Sequence, residues 1–248
     1  LLGCASSAHF ENFMLLEICI DCIESALVAE QGGAHRIEIC SSLSSGGTTP
    51  SLGLVRQCVQ RCQIPCMVMI RPHDGGFVYS DDDIRSMLHD IDVVKELGVQ
   101  GVVLGALTHD GDVDVRAMKR LIQASRPLQI TFHRAFDIAR DPLQALDTII
   151  GLGVDRLLTS GQRTTAEEGM QLTKQLVDRA DNRLTVMAGA GINGSNVRRI
   201  LEATQVREVH ASASVPRSPE FATGEVRFGD HSRVTSVQRV RELIAAMS

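Results

Sequence analysis

Eight short apolar segments recur along the chain at intervals typical of strands that alternate with helices. They are LLEICI (15–20), RIEIC (36–40), CMVMI (66–70), GVVLG (101–105), QITFH (129–133), RLLTS (156–160), LTVMAG (184–189) and EVHAS (208–212). Their first residues lie 21 to 35 positions apart, which leaves room for one helix after each strand. Two of the intervening stretches, 81–98 and 166–180, carry apolar residues at helical spacing. Eight strand–helix units in one chain are typical of a closed parallel barrel.

The length of the chain fits this architecture as one domain. A (β/α)8 barrel, or TIM barrel, typically needs about 250 residues, and the chain has 248. No Pro- or Ser-rich linker interrupts 15–212, so we predict an α/β protein with a single TIM-barrel domain over 14–248. We expect residues 1–13 to be a mobile lead-in, and the polar segment 213–233 to be a long loop before a final helix over 234–247. An open, doubly wound sheet is the alternative fold.

Composition argues against membrane and nucleic-acid partners. No stretch reaches the roughly 18 apolar residues that a membrane span requires. The formal net charge is −5, without any cluster of Lys and Arg, and aromatic residues make up only 3% of the chain, too few for base-stacking surfaces. The seven cysteines are an odd number spread along the chain, which is not a disulfide framework. We therefore expect a cytoplasmic protein.

The strand pattern predicts polar side chains inside the barrel mouth. Side chains alternate along a strand, so the apolar parity of the first two strands leaves Glu17, Cys19, Glu38 and Cys40 facing the barrel axis. The same argument places these residues inside or just beyond strands 3, 5 and 8: Arg71, His73, Thr131, His133, Arg134, Asp137, His210 and Ser212. Burying unpaired charge is costly, so these groups must pair with one another or with a ligand at the mouth. A purely structural Glu–Arg network across the first strands is the alternative.

The cysteines suggest a metal site. Cys19 and Cys40 occupy equivalent inward positions on adjacent strands, where two thiolates could share one soft ion such as Cu(I). A zinc ion would need four ligands, which His73, His133 or the glutamates would have to complete. Cys22 falls beyond its strand, and the pair Cys58 and Cys62 shares one helix face, where small buried hydrophobic side chains are expected.

The same mouth also fits an enzyme. Glu17, Glu38, Arg71, His133 and Asp137 could supply a general base, a general acid and an anion clamp for a small phosphorylated or carboxylated substrate. The glycine-rich end of strand 7 and the end of strand 8 predict an anion site at Gly189, Gly191 and Ser212. A third hypothesis has the mouth covered by 213–233 and the protein acting through its surface.

Several long, ordered blocks resemble the CutC family, which is named for copper homeostasis. They are LLEICIDCIESALVAEQGGAHRIEICSSLSSGGTTPSLGLV, MIRPHDGGFVYSD, ITFHRAFD, LLTSGQ and MAGAGI, between about 14 and 212. The resemblance implies a TIM barrel and a cytoplasmic homo-oligomer, a dimer or a tetramer, that binds Cu(I). It implies Cys19 and Cys40 as copper ligands. It also implies a polar pocket of Glu17, Glu38, Arg71, His133, Arg134 and Asp137.

One block departs from the family pattern. The chain reads His73-Asp74-Gly75-Gly76-Phe77, whereas the family commonly has a different basic residue at the position of His73 and an acidic residue after the glycines. The sequence therefore leaves open whether His73 is an additional soft ligand.

Overall fold

A computed structural model of the chain, which describes residues 14–217 and 233–248, contains a closed barrel of eight parallel strands. The barrel strands are Leu15–Ile20 (β1), Arg36–Ile39 (β2), Cys66–Met69 (β3), Gly101–Leu104 (β4), Gln129–Phe132 (β5), Arg156–Thr159 (β6), Thr185–Gly189 (β7) and Glu208–Ala211 (β8). Each strand pairs with the next, and β1 closes the barrel against β8. The predicted (β/α)8 fold and single domain are confirmed, and each predicted strand coincides with an observed one to within one residue at either end.

Helices follow the strands and cover the outside of the barrel. The α-helices in the described residues are Ile23–Gly32 (α1), Leu52–Arg61 (α2), Asp81–Glu96 (α3), Val115–Ser125 (α4), Pro142–Gly151 (α5), Met170–Ala180 (α6), Val197–Thr204 (α7) and Val237–Met247 (α8). Within 14–217 and 233–248, every helix is too short or too polar to cross a membrane.

Local sequence signals set several helix ends. The Ser80 side chain accepts a hydrogen bond from the Asp83 backbone N–H, and the Asp83 carboxylate accepts one from the Ser80 backbone N–H, so α3 begins with a complete capping box. Gly98, just beyond this helix, has φ +82°, which a residue without a side chain adopts at no steric cost. Pro142 opens α5, and the preceding Asp141 side chain accepts from two backbone N–H groups of that helix.

The alternation of each strand divides the buried side chains into two sets. Outward-facing Leu16, Ile18 and Ile37 belong to the large core between strands and helices. Inside the barrel, a smaller apolar cluster contains Cys40, Met67, Met69 and Val103, with Leu43 packed against it. The predicted assignment of Cys58 and Cys62 to the outer core is confirmed.

A chain of ion pairs crosses the barrel interior below this cluster. Arg36 contacts the carboxylate of Glu17 and that of Glu208, whose Oε2 lies 2.7 Å from Arg36 Nη2. The same oxygen is 2.5 Å from Arg156 Nε, and Arg156 Nη1 donates to the Thr131 hydroxyl at 3.3 Å. Burial alone would lower the pKa of Arg36, but the two neighbouring carboxylates raise it. Because each charge in this network touches an opposite one, the network needs no ligand to balance its charge.

The segment predicted as one long loop differs at both of its ends. Ser214–Pro216 (β9) and Arg233–Thr235 (β10) form an antiparallel pair, and the last helix begins at 237 rather than 234. Ladder hydrogen bonds anchor the two ends of this segment, a long-range pairing that local sequence does not reveal. Residues 218–232 and the expected lead-in over 1–13 lie outside the described residues.

Candidate ligand and metal site at the barrel mouth

A cavity of about 440 Å³ lies at the carboxyl ends of the strands. Its polar wall combines residues from five strands or the loops that follow them, and its apolar wall comes from side chains of the surrounding loops and of the barrel interior. The polar lining residues are Cys19, Glu38, Cys40, Ser45, Arg71, His133, Arg134, Asp137, His210 and Ser212. The volume falls in the range of about 300–1,000 Å³ that small-molecule sites occupy. The mouth of the barrel therefore holds a space of ligand size, and most of the predicted polar residues line it.

Cys19, Glu38 and His210 come together on three consecutive strands. The barrel closes β8 against β1 and pairs His210 with Glu17, one inward position before Cys19, while β2 places Glu38 directly opposite Cys19. The His210 Nε2 atom is 2.8 Å from Glu38 Oε2, and one ligand atom from each of the three residues lies within 4.8 Å of the others. Among the described residues this is the group of three or more His, Cys, Asp or Glu side chains able to hold one metal ion.

Charge around this cluster controls its protonation. Burial alone would lower the pKa of His210, but Cys19 and Glu38 offset this effect and hold the pKa well above its usual value. Burial, reinforced by Glu38 and Cys19, raises the pKa of the Cys40 thiol well above its usual value. These shifts favour the protonated form of both His210 and Cys40. Glu38 Oε1 is buried and has no hydrogen-bond partner in the described part of the chain.

The two predicted metal ligands are not equivalent, which corrects the sequence-based expectation. Residue pairing between β1 and β2 places Cys19 opposite Glu38, so Cys40 lies one inward position further along its strand. The shift arises because strands in a barrel tilt and stagger, so that equal positions in two strands differ in height. Cys40 lines the same cavity and packs near Met69 and Gly47, but it does not belong to the three-residue cluster.

Arg71 is buried with a fixed guanidinium. It is only 4% exposed, and its Nη atoms donate to the carbonyl oxygens of Ser45, Gly47 and Gly75 at 2.8–2.9 Å. The guanidinium carbon lies 4.9 Å from the centre of the Phe77 ring, a cation–π contact. These contacts hold a permanent positive charge at the cavity wall.

His133 is a neutral hydrogen-bond donor beside this charge. Burial, with the positive charge of Arg71, lowers the pKa of His133 to about 3. Its Nδ1 accepts from the Ala135 backbone N–H at 3.2 Å, so the single proton of the neutral ring is on Nε2. That Nε2 atom has no hydrogen-bond partner in residues 14–217 and 233–248.

The carboxylate of Asp137 is hydrogen-bonded within the protein. It accepts from the Thr159 hydroxyl, from the Ser160 hydroxyl and backbone N–H, from the Gln162 backbone N–H and from Arg134 Nε at 2.5–3.2 Å. Arg134 in turn donates to the Ser160 hydroxyl at 3.0 Å. This network joins the loops after β5 and β6, so Asp137 positions the cavity wall.

Other predicted site residues lie at different depths. Glu17 is fully buried outside the cavity lining, in the ion-pair chain, and its Oε1 is 3.9 Å from His210 Nε2. Gly191 and Ser212 line the cavity, whereas Gly189 packs against Leu158 outside the lining, where an added Cβ would lie 2.6 Å from the Leu158 Cδ1 atom.

His73 and Cys22 do not reach the cavity. The His73 Nε2 atom lies 3.9 Å from Asp83 Oδ2 at the surface, and Cys22 donates to the Ser25 hydroxyl. The sequence placed His210 inside β8 without giving it a role. Barrel closure would have indicated a role for His210, because it brings β8 beside the strand that carries Cys19.

Known proteins are similar in sequence to this chain over most of its length. Residues 14–215 match the profile of the CutC family. The copper homeostasis protein cutC homolog of Mus musculus is 47% identical over 243 residues, which are 94% of this chain and 89% of the mouse protein. The human protein of the same name is 46% identical and covers 97% of this chain and 92% of its own.

Solved structures agree in fold. The CutC protein of Streptococcus agalactiae superposes with a TM-score of 0.77 at 33% identity, covering 81% of this chain and 99% of that chain. Phosphoribosylanthranilate isomerase from Thermotoga maritima has a TM-score of 0.59 at 12% identity over 95% of this chain and 98% of its own, a likeness of fold alone. The chain therefore belongs to the CutC family.

Proposed function

We propose that this protein binds Cu(I) at the barrel mouth and takes part in copper homeostasis. The observation that carries the proposal is the convergence of Cys19, Glu38 and His210 within 4.8 Å of one another beside a cavity. Relatives that share nearly half of the sequence are named copper homeostasis proteins, which supports the choice of ion.

The donor set suits a soft ion. Thiolate sulfur and imidazole nitrogen are ligands that copper accepts, whereas a site for calcium or magnesium would be built from oxygen atoms. Cys19 is the primary ligand in this proposal and His210 the second. Glu38 orients the imidazole through the 2.8 Å contact, and Cys40 supplies a further thiol nearby. Metal ligands must be unprotonated, so Cu(I) binding releases protons from this cluster.

Competition titration with a Cu(I) chelator, on fully reduced protein, tests the proposal. Cys19→Ser should weaken Cu(I) binding far more than Cys40→Ser, because Cys40 lies outside the three-residue cluster. Cys22→Ser is the matched control, since its thiol contacts Ser25 outside the cavity. Unchanged affinity in the double variant of Cys19 and Cys40 would refute copper binding at this site.

A second candidate function is acid–base catalysis on a small anionic substrate. It is favoured by the His210–Glu38 pair, which places a proton donor and a proton acceptor 2.8 Å apart in the same cavity as Arg71. In this function Glu38 and His210 move the proton, Arg71 and His133 bind the substrate, and Glu17 and Asp137 hold neighbouring groups in place. Gly191 and Ser212 border the space that the substrate fills.

A thermal-shift screen against carboxylated and phosphorylated metabolites tests this second function. A ligand that raises the Tm of the protein, and whose conversion is lost in Glu38→Gln, would establish an enzyme. No shift with any anionic compound would count against it and would leave the copper titration unaffected.

We also propose a cytoplasmic homo-oligomer, a dimer or a tetramer, on the strength of family membership. Analytical ultracentrifugation of the full chain should give a mass that is two or four times 26.9 kDa. A monomer at micromolar concentration would contradict this part of the proposal.

A further inference from the structure

Arg71 differs from the other cations of the cavity wall in having no carboxylate partner. Arg134 pairs with Asp137 at 2.7 Å and His210 with Glu38 at 2.8 Å. The hydrogen bonds of the Arg71 guanidinium go to backbone carbonyls, and within the described ranges no carboxylate lies within 4.0 Å of it. Carbonyl groups solvate the guanidinium but bring no charge. A buried positive charge without a counter-charge is costly and favours the entry of an anion.

A hydrogen-bond donor without a partner stands beside this charge. The Nε2–H group of His133 is buried in a ring that is 3% exposed and borders the cavity, and nothing in the described part of the chain accepts from it. Phe77 contacts both groups: its ring centre is 4.9 Å from the Arg71 guanidinium carbon and 5.0 Å from the His133 ring centre. One face of the cavity therefore offers one charge and one donor, both fixed and both without an anionic partner.

The rest of the cavity favours an organic body rather than a bare ion. Its apolar wall is made of Leu43, Met69, Phe77, Ile138, Leu158 and Ile192. A cavity of about 440 Å³ is far larger than an inorganic anion and accommodates an aromatic or aliphatic group.

We propose that the cavity binds a small organic carboxylate, with its anionic end at Arg71 and His133 and its apolar body against the apolar side chains of the lining. One unpaired positive charge matches a monoanion better than a phosphate monoester, which carries about −1.5 to −2 at neutral pH. This inference rests on the second function proposed above, in which the ligand is a small anionic molecule. It adds the subsite that binds the anionic group. The sequence predicts the anion at Gly189, Gly191 and Ser212; Gly191 and Ser212 line the same cavity, whereas Gly189 does not.

Benzoate, benzamide and phenyl phosphate are suitable probes, because they share one apolar body and differ in the group that faces Arg71. Calorimetric titration of the copper-free protein measures binding without requiring turnover. Benzoate should bind more tightly than benzamide, which has no negative charge. It should also bind more tightly than phenyl phosphate, whose negative charge is larger than the single positive charge of Arg71.

Variants at His133 separate recognition from folding. His133→Leu should weaken benzoate binding about 10- to 100-fold, the usual effect of losing a hydrogen bond to a charged group. His133→Gln keeps an N–H donor at a similar reach and should recover most of that loss. His109→Leu is the matched control, since that side chain is exposed and outside the cavity lining and should leave binding unchanged.

Three results would overturn the proposal: no benzoate binding, equal binding of benzoate and benzamide, or unchanged binding in His133→Leu. Tighter binding of phenyl phosphate than of benzoate would overturn the choice of carboxylate. A protein that binds benzoate in this pattern but catalyses nothing would refute the enzyme function and leave the subsite established. The Cu(I) titration is a separate measurement on Cys19, so its failure is distinguishable from failure here.

Discussion

The buried imidazole of His133 gives the folded protein a defined sensitivity to acid. Its pKa is about 3 in the folded chain, against 6.5 for an exposed histidine. Between these two pH values the unfolded state binds a proton that the folded state does not. The free energy of unfolding therefore rises with pH through this window, and stability is lost as the pH falls from about 6.5 towards 3.

The size of the effect follows from the same two values. One histidine with an unfolded pKa near 6.5 and a much lower folded pKa costs about 2 kcal/mol of stability between pH 7 and pH 5, with a limiting slope of about 1.4 kcal/mol per pH unit. Other groups titrate in this range too, so the informative quantity is the difference between the wild type and His133→Gln at each pH. Any constant cost of losing the contact with the Ala135 N–H cancels in that comparison.

Urea unfolding of both proteins at pH 7, 6 and 5 measures this difference. The wild type should lose about 2 kcal/mol more than His133→Gln across the series. His109→Gln, at an exposed position, provides the baseline for removing a histidine elsewhere. Parallel stability curves for wild type and His133→Gln would refute a neutral, buried His133.

Three further substitutions test the framework around the cavity. Arg36→Met leaves the buried carboxylate of Glu17 without its arginine and Glu208 with Arg156 alone, and should cost about 3–5 kcal/mol in urea unfolding; a loss under about 1 kcal/mol would contradict the interior ion-pair chain. Asp137→Ala leaves several buried donors unpaired and should cost at least about 2 kcal/mol, with Asp137→Asn in between; equal stability of all three proteins would show that the network is dispensable. Gly189→Ala forces a methyl group to 2.6 Å from Leu158 Cδ1 and should lower the Tm, whereas an unchanged Tm would mean that the Leu158 side chain moves aside at little cost.

Periodic features of the sequence were sufficient to predict the fold. Apolar alternation located each barrel strand, because one side of every strand packs against helices, as Ile18 and Ile37 do. The same alternation put Glu17, Cys19 and Glu38 inside the barrel correctly. The pairing of β9 with β10 was not predictable, because two three-residue strands carry little periodic signal.

Geometry between strands was the part that the sequence did not reveal. Counting along β1 and β2 made Cys19 and Cys40 equivalent, but strand stagger places Cys19 opposite Glu38. The sequence also does not show how deep in the barrel each side chain lies. Glu17 and Glu38 both face the barrel axis, but of these two only Glu38 borders the cavity. The first and last strands also become neighbours only on closure, so the contact of His210 with Glu38 has no local signature.

The position of bound copper tests the central claim most directly. Crystals of the reduced protein loaded with Cu(I) should give one anomalous scattering peak at the copper edge, bonded to Cys19 Sγ and close to His210. A peak at the buried thiols of Cys58 and Cys62, or no peak in the barrel mouth, would contradict the account.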